Sequence, residues 1–299
     1  MRKTKAYFLA LFGTLTVVLP IYLAAAAILF TRTQPVDTIQ SGVPIVQPRA
    51  TDARTLLLMT GPEQPETFVL LRFDAWSGEV CTAAIPAEAV MLVGGQPLTL
   101  TEAAQQAGPA QAAAAIEETL EISVDNYFYA PADSLLKMVS GFGTARVPLS
   151  NYLTPEALAQ VKLDLPGIET LTLTPAMLAD VLAAKVAAPD LQTLLRAEGY
   201  LAFLRVGADT LAEKVPDALR AALAQSSTDL TAVQIYDYER IFRFLQKEPP
   251  EYRAGVLPGT WAGERYELSP DAPTVAAGYF TRPSDRKEED ISNNPEENW

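Results

Sequence analysis

The chain has 299 residues, 49% of them apolar and 20% charged, which allows one large core beyond any membrane segment. A formal net charge of -13, with no cluster of Lys and Arg beyond the N-terminus, excludes a nucleic-acid partner, because phosphate binding needs clustered cations to displace counterions. With no histidine anywhere, His-based triads, HExxH zinc sites and imidazole general bases are excluded too.

The first predicted element is a membrane span. Residues 1–5 carry Arg2, Lys3 and Lys5, and Ala6 to Phe30 is an uncharged apolar run long enough to cross a hydrocarbon core of roughly 30 Å. The positive-inside rule leaves residues 1–5 cytoplasmic and everything after Thr31 outside, giving a single-pass cell-membrane protein with its bulk extracytoplasmic. The competing reading is a cleaved signal peptide, since Ala24 to Ala27 are small residues of the cleavage-site type, but the apolar run continues through Ile28 to Phe30. Residues 31–51, with Pro35, Gly42, Pro44 and Pro48, read as an extended linker. One folded domain is expected over 52–280, followed by a charged tail, 281–299, with the composition of a disordered segment.

Within the domain, Thr55 to Thr60 and Thr67 to Phe73 are predicted as buried strands. Asp74 to Gly78 supplies turn chemistry before a third strand, Glu79 to Ile85, so that a hairpin is expected. Cys81, in this third strand, has no disulfide partner and reads as a buried, inert thiol. Pro109 opens an alanine-rich helix, and Asp125 to Ala130 and Arg146 to Leu149 follow as strands. Thr174 is placed as the N-cap of a helix carrying Leu178, Val181, Leu182 and Val186, and Pro189 starts another with Leu191, Leu194 and Leu195 inward. Ser227 is predicted to cap a last long helix with Leu230, Val233, Ile241 and Leu245 inward. Interspersed strands and helices define a mixed α/β (α+β) class, a central sheet with helices packed on its faces, preceded by one transmembrane helix.

No Walker-type phosphate loop, no GxGxxG after a strand and no GxSxG elbow is present, and Gly141 to Gly143 reads only as a turn. The order of elements nevertheless resembles the extracytoplasmic LytR-CpsA-Psr family. An apolar strand (LLLM) leads to the pair Glu66-Thr67, then FVLLRFD, AWSGEV and the segment Ile85-Pro86-Ala87-Glu88-Ala89. Ile116 to Tyr129 (IEETLEISVDNYFY) is similar to the family's helix and D-Y-Y strand, and its two later helices are echoed by Leu173 to Lys185 and Asp190 to Ala197.

That resemblance implies a phosphotransferase attaching a glycopolymer from a polyprenyl-pyrophosphate carrier to the cell wall. Its site would use arginines on pyrophosphate and acidic residues on Mg²⁺. Carried over position by position, Glu66 and Glu88 become the catalytic carboxylates and Mg²⁺ ligands, and Lys185 and Arg196 the phosphate-binding cations. The chain also departs from the pattern. Ala87 replaces an arginine of the Ile-Pro-Arg-Asp-Thr segment, Gly61 and Glu63 stand where Asp and Arg are expected, the Lys and Asn expected near Thr99 and Thr101 are absent, and Ala183 and Thr193 occupy two basic positions. An alanine offers no bidentate grip on phosphate.

Each candidate also has a plainer reading: Glu66 beside Pro65 as a solvated loop carboxylate, Lys185 and Arg196 as solvated helix positions, and the apolar helix faces as core rather than lipid groove. Three readings follow. Under a leading reading of a divergent family member with activity weakened or lost, the first is an enzyme that still ligates a glycopolymer with Glu66 and Glu88 on Mg²⁺ and Lys185 with Arg196 on phosphate, the second a non-catalytic envelope binding or scaffold module, and the third an unrelated anchored domain. Convergence of Glu66, Glu88, Lys185 and Arg196 on one cleft separates the first from the others.

Overall fold

The computed structural model describes residues 47–61, 63, 65–131, 143–147, 156, 171–175, 177, 189–206 and 211–281. By its contacts the chain divides into Met1–Val46 and Gln47–Trp299. The first unit, with the apolar run 6–30, lies outside the described residues, as do Lys185, most of the helix expected after Thr174, and 282–299. Among the described residues no helix is long and apolar enough to cross a membrane.

The second unit is built on three consecutive antiparallel strands, β1 (Ala53–Thr60), β2 (Thr67–Asp74) and β3 (Glu79–Ile85). The turn between β2 and β3 forms because Asp74 Oδ1 accepts the backbone N–H groups of Trp76 and Ser77, both at 3.0 Å, and Gly78 takes a φ of 69° that L side chains disfavour. After β3 come the hairpin of β4 (Val90–Val93) and β5 (Gln96–Thr99), then α1 (Leu100–Ala107) and α2 (Pro109–Leu120). Thr99 and Glu102 close a capping box on α1, and Pro109 is pre-set for the first turn of α2. β6 (Asn126–Ala130) then pairs parallel to β1, while β7 (Ala145–Val147) and β8 (Leu171–Leu173) form a separate pair.

The C-terminal half supplies α3 (Pro189–Val206), α4 (Leu211–Ala222), β9 (Ser227–Thr228), α5 (Ala232–Lys247), β10 (Glu251–Val256), the hairpin β11 (Gly259–Ala262) and β12 (Arg265–Leu268), and α6 (Ala272–Phe280). The central sheet runs β10-β3-β2-β1-β6-β9, with β10 parallel to β3 and β9 antiparallel to β6.

The unbroken apolar runs of β1 to β3 now have a cause. Successive side chains point to opposite faces, and both faces are covered. Leu56, Leu58, Val69, Leu71 and Phe73 enter a core with α3, α4 and α5, whereas Leu57, Met59, Phe68, Leu70 and Cys81 enter one with α1, α2 and α6. The class is mixed α/β, with a central mixed sheet.

Several local expectations shift. The strand expected over Arg146–Leu149 begins one residue earlier and is described as Ala145–Val147, residues 148–149 lying outside the described residues. Ser227 does not cap a helix; it lies in β9, and Thr231 is the N-cap of α5, in a capping box with Gln234. Leu230 is buried ahead of that helix, and Val233, expected inward, is 73% exposed because the buried stripe runs through Ile235, Tyr238, Ile241, Phe242 and Leu245. Leu191 is likewise exposed at the start of α3, while Leu195 is buried.

Candidate functional site at the loop end of the sheet

Strand pairing alone gathers two of the four sequence candidates, Glu66 and Glu88. Thr60 pairs with Thr67 and with Ala130, Phe68 with Ile85, and Ala84 with Val256, so the turn from β1 to β2, the segment after β3 and the exits of β6 and β10 share one end of the sheet. Glu66 and Glu88 are both exposed on these loops.

The first loop is closed by Glu66 N–H donating to Thr60 O at 2.9 Å, and Tyr129 Oη reaches Gly61 O at 3.5 Å. Burial, then Glu66 and Glu63, raise the Tyr129 phenol above its usual range, which puts all three groups in one electrostatic neighbourhood. The second loop is tied on both sides. Ala87 O accepts from Thr101 N and Thr101 Oγ1, each at 3.1 Å; Glu88 O accepts from Tyr266 N at 3.0 Å; and Ala89 N donates to Pro86 O at 3.0 Å. The Glu88 carboxylate therefore extends from a held backbone.

Arg196 arrives from α3, which is pinned over β3 by Thr82 Oγ1 donating to Ala197 O at 3.0 Å. Farther along, Arg205 reaches Tyr252 O at the start of β10, so the N-terminal half of α3 points toward the loop end. Burial pulls the Arg196 guanidinium below its ordinary range, and Tyr200 and Glu88 oppose that pull. Its Nε is buried with no hydrogen-bond partner, and the Tyr200 phenol beside it is pushed far up by burial. Arg196 is thus not the solvated helix residue of the plainer reading.

Glu88 acts on Arg196 electrostatically without an ion pair between them, and Glu66 lies at the same sheet end with Glu63 and Tyr129. Lys185 lies outside the described residues. Tyr200 carried no signal in the sequence, since its relation to Arg196 arises from one helical turn and from burial. Among the described residues no three carboxylates or other metal-ligating side chains converge. Mg²⁺ commonly takes only one or two carboxylates and completes its shell with water and substrate phosphate, a mode compatible with Glu66 and Glu88. A pocket of about 340 Å³ lined by Thr55, Arg72, Glu117 and Phe280 lies elsewhere, at the opposite end of β1.

No family model matches the sequence, and no curated protein matches it. Solved structures do. A Eubacterium siraeum protein assigned as a transcription regulator aligns over 82% of this chain and 97% of its own, at 13% identity and a TM-score of 0.68. TagT bound to LI-WTA aligns over 79% and 94%, at 16% identity and a TM-score of 0.61. TagU of B. subtilis aligns over 81% and 97%, at 15% identity and a TM-score of 0.51. At such identities the likeness concerns the fold, and the chain has a fold like that of TagT and TagU, proteins of the LytR-CpsA-Psr family.

Proposed function

We propose that this chain is a membrane-anchored, extracytoplasmic LytR-CpsA-Psr-like protein of cell-envelope biogenesis. It engages a polyprenyl-pyrophosphate-linked glycopolymer, with the transfer activity of its relatives weakened or lost. The observation that carries this reading is Arg196. A half-buried guanidinium whose Nε is buried without a hydrogen-bond partner, with only the Glu88 carboxylate acting on it from a distance, is a costly arrangement in the free protein, and a pyrophosphate would relieve it. Its position on the loop end with Glu66 and Glu88 supports assigning it to phosphate and the carboxylates to a metal. Mg²⁺, when bound, would neutralise phosphate charge, held by Glu66 or Glu88 and by the ligand's own oxygens. The acidic net charge speaks against nucleic acid as the partner.

Ala87 favours a second reading, a non-catalytic binding or scaffold module. Where the family pattern has an arginine, this chain presents a methyl group, and the carbonyl of that residue is consumed by Thr101.

The test is binding of a polyprenyl pyrophosphate to the full chain in lipid nanodiscs, with and without Mg²⁺, for wild type, Glu88→Ala and Arg196→Ala. The expected outcome is Mg²⁺-dependent binding, weakened about tenfold or more by Arg196→Ala, which corresponds to ~1.4 kcal/mol, and stripped of its Mg²⁺ dependence by Glu88→Ala. No binding by wild type overturns the ligand assignment and leaves the scaffold module. Binding indifferent to both substitutions overturns the site.

A further inference from the structure

The pocket of about 340 Å³ beside the start of β1 has its own chemistry, at the sheet end opposite Glu66 and Glu88. Two helices finish in its wall: α2, which contributes Glu117 and is followed by Glu121 and Ile122, and α6, which contributes Phe280. Both present their C-termini, the negative end of the helix dipole. Glu117 Oε1 accepts from Val124 N at 2.8 Å, which fixes that carboxylate through one of its oxygens. Glu121 caps α2 with a φ of 53° and is the one non-glycine among the described residues in the left-handed region. Helices that end this way favour glycine at that position, yet here it carries a second carboxylate.

The one cation among the described residues lining the pocket is Arg72, and it is already consumed. It pairs with Asp74 at 2.7 Å and donates to Phe280 O at 2.9 Å. The charge left uncompensated in the wall is therefore negative.

A buried hydroxyl points to the same conclusion independently. Thr55 is 1% exposed and lines the pocket, and its Oγ1 is buried with no hydrogen-bond partner. Both of its backbone groups are engaged by Asp125, through Thr55 N donating to Asp125 Oδ2 at 2.8 Å and Asp125 N donating to Thr55 O at 2.9 Å. The hydroxyl alone is left, and a buried polar atom without a partner is costly unless a ligand supplies one.

We infer that this pocket is a binding site for a primary ammonium group on a short carbon chain. Such a group has three N–H donors, and Glu117, Glu121 and Thr55 Oγ1 offer three acceptors. Donors that are charged make the stronger bonds to carboxylates, and the two helix ends add to the attraction. Ile122 supplies an apolar surface for the carbon chain. Among the described residues no three metal-ligating side chains converge, which separates this wall from a divalent-metal cage. The site stands apart from the pyrophosphate reading and does not depend on it.

The experiment is calorimetric titration of the full chain in lipid nanodiscs with n-butylammonium, and with tetramethylammonium, which has the charge but no N–H donor. Wild type, Thr55→Val, Glu121→Gly and Arg282→Ala are compared, with Tm recorded for each. Butylammonium is expected to bind wild type, and Thr55→Val and Glu121→Gly each to weaken it at least about tenfold, the cost of losing a hydrogen bond to a charged group. The Tm of both variants is expected to hold or rise, because one removes an unpartnered hydroxyl and the other a left-handed non-glycine residue. Weakened binding therefore reports the site and not the fold. No binding by wild type, equal binding of tetramethylammonium, or binding indifferent to both substitutions overturns the site. Binding that appears only in Arg282→Ala assigns the pocket to the chain's own arginine and overturns it as a ligand site.

Discussion

Arg72 and Asp74 stand two residues apart on β2 and therefore point to the same face, where they meet at 2.7 Å, both nearly fully buried. Arg72 also donates to Phe280 O at 2.9 Å, capping the end of α6 with a cation where the helix dipole is negative. Breaking a buried pair strands the other charge, so Arg72→Ala should cost about 3–5 kcal/mol in urea unfolding. Cys81 faces the same core, and burial, reinforced by Glu79, pushes its thiol up to about 12. Thiolate reagents at pH 8 should leave the native protein unmodified and react only on unfolding. Because the folded value lies above the ordinary 9.0, this thiol's contribution to stability is present below pH 9 and is lost as pH rises from 9 to about 12, which alkaline unfolding midpoints of wild type and Cys81→Ala would resolve. Arg196 shows the same burial physics from the other side. There the desolvated group is a cation, whose Nε is buried without a hydrogen-bond partner.

At the scale of elements, α5 is set by its cap and its stripe. Thr231 Oγ1 accepts from Gln234 N while Gln234 Oε1 accepts from Thr231 N, so two otherwise orphaned donors are satisfied reciprocally. Thr231→Ala should cost ~1 kcal/mol in thermal or urea unfolding. Val233→Ser, on the exposed face of the same helix, should change stability by less than about 0.5 kcal/mol. The β11–β12 hairpin has a tighter constraint. A Cβ at Gly259 would sit 2.6 Å from Glu267 O and 2.6 Å from the Tyr266 ring, and backbone cannot yield as a flexible side chain can. Gly259→Ala should therefore destabilise by about 1–3 kcal/mol. Tyr266 also bonds Glu88 O through its N–H, so the same substitution should loosen the Glu88 segment, seen as faster amide exchange at Ala87 to Ala89.

The whole molecule is a sheet buried on both faces, and its stability should be graded from the centre outward. Amide exchange should be slowest in β1, β2 and β3, which have paired neighbours and two covered faces, and fastest in β9, which holds only two residues at the edge. Sequence alone was enough to place β1, β2 and β3, because apolar runs bounded by Asp, Gly and Pro report burial locally, and enough to exclude imidazole chemistry, because this depends on composition. It also led to the candidates Glu66, Glu88 and Arg196 through a matched order of elements. It misread Ser227 and Val233 while placing Ile241 and Leu245 inward correctly, since at about 100° per residue Val233 falls off the stripe through Ile235, Tyr238, Ile241, Phe242 and Leu245. The burial of Arg196 Nε, the electrostatic pull of Glu88 on that guanidinium and the neighbourhood of Tyr129 with Glu63 were decided only by tertiary structure. Each joins residues far apart in the chain, and desolvation is a property of the packed fold that no local pattern encodes.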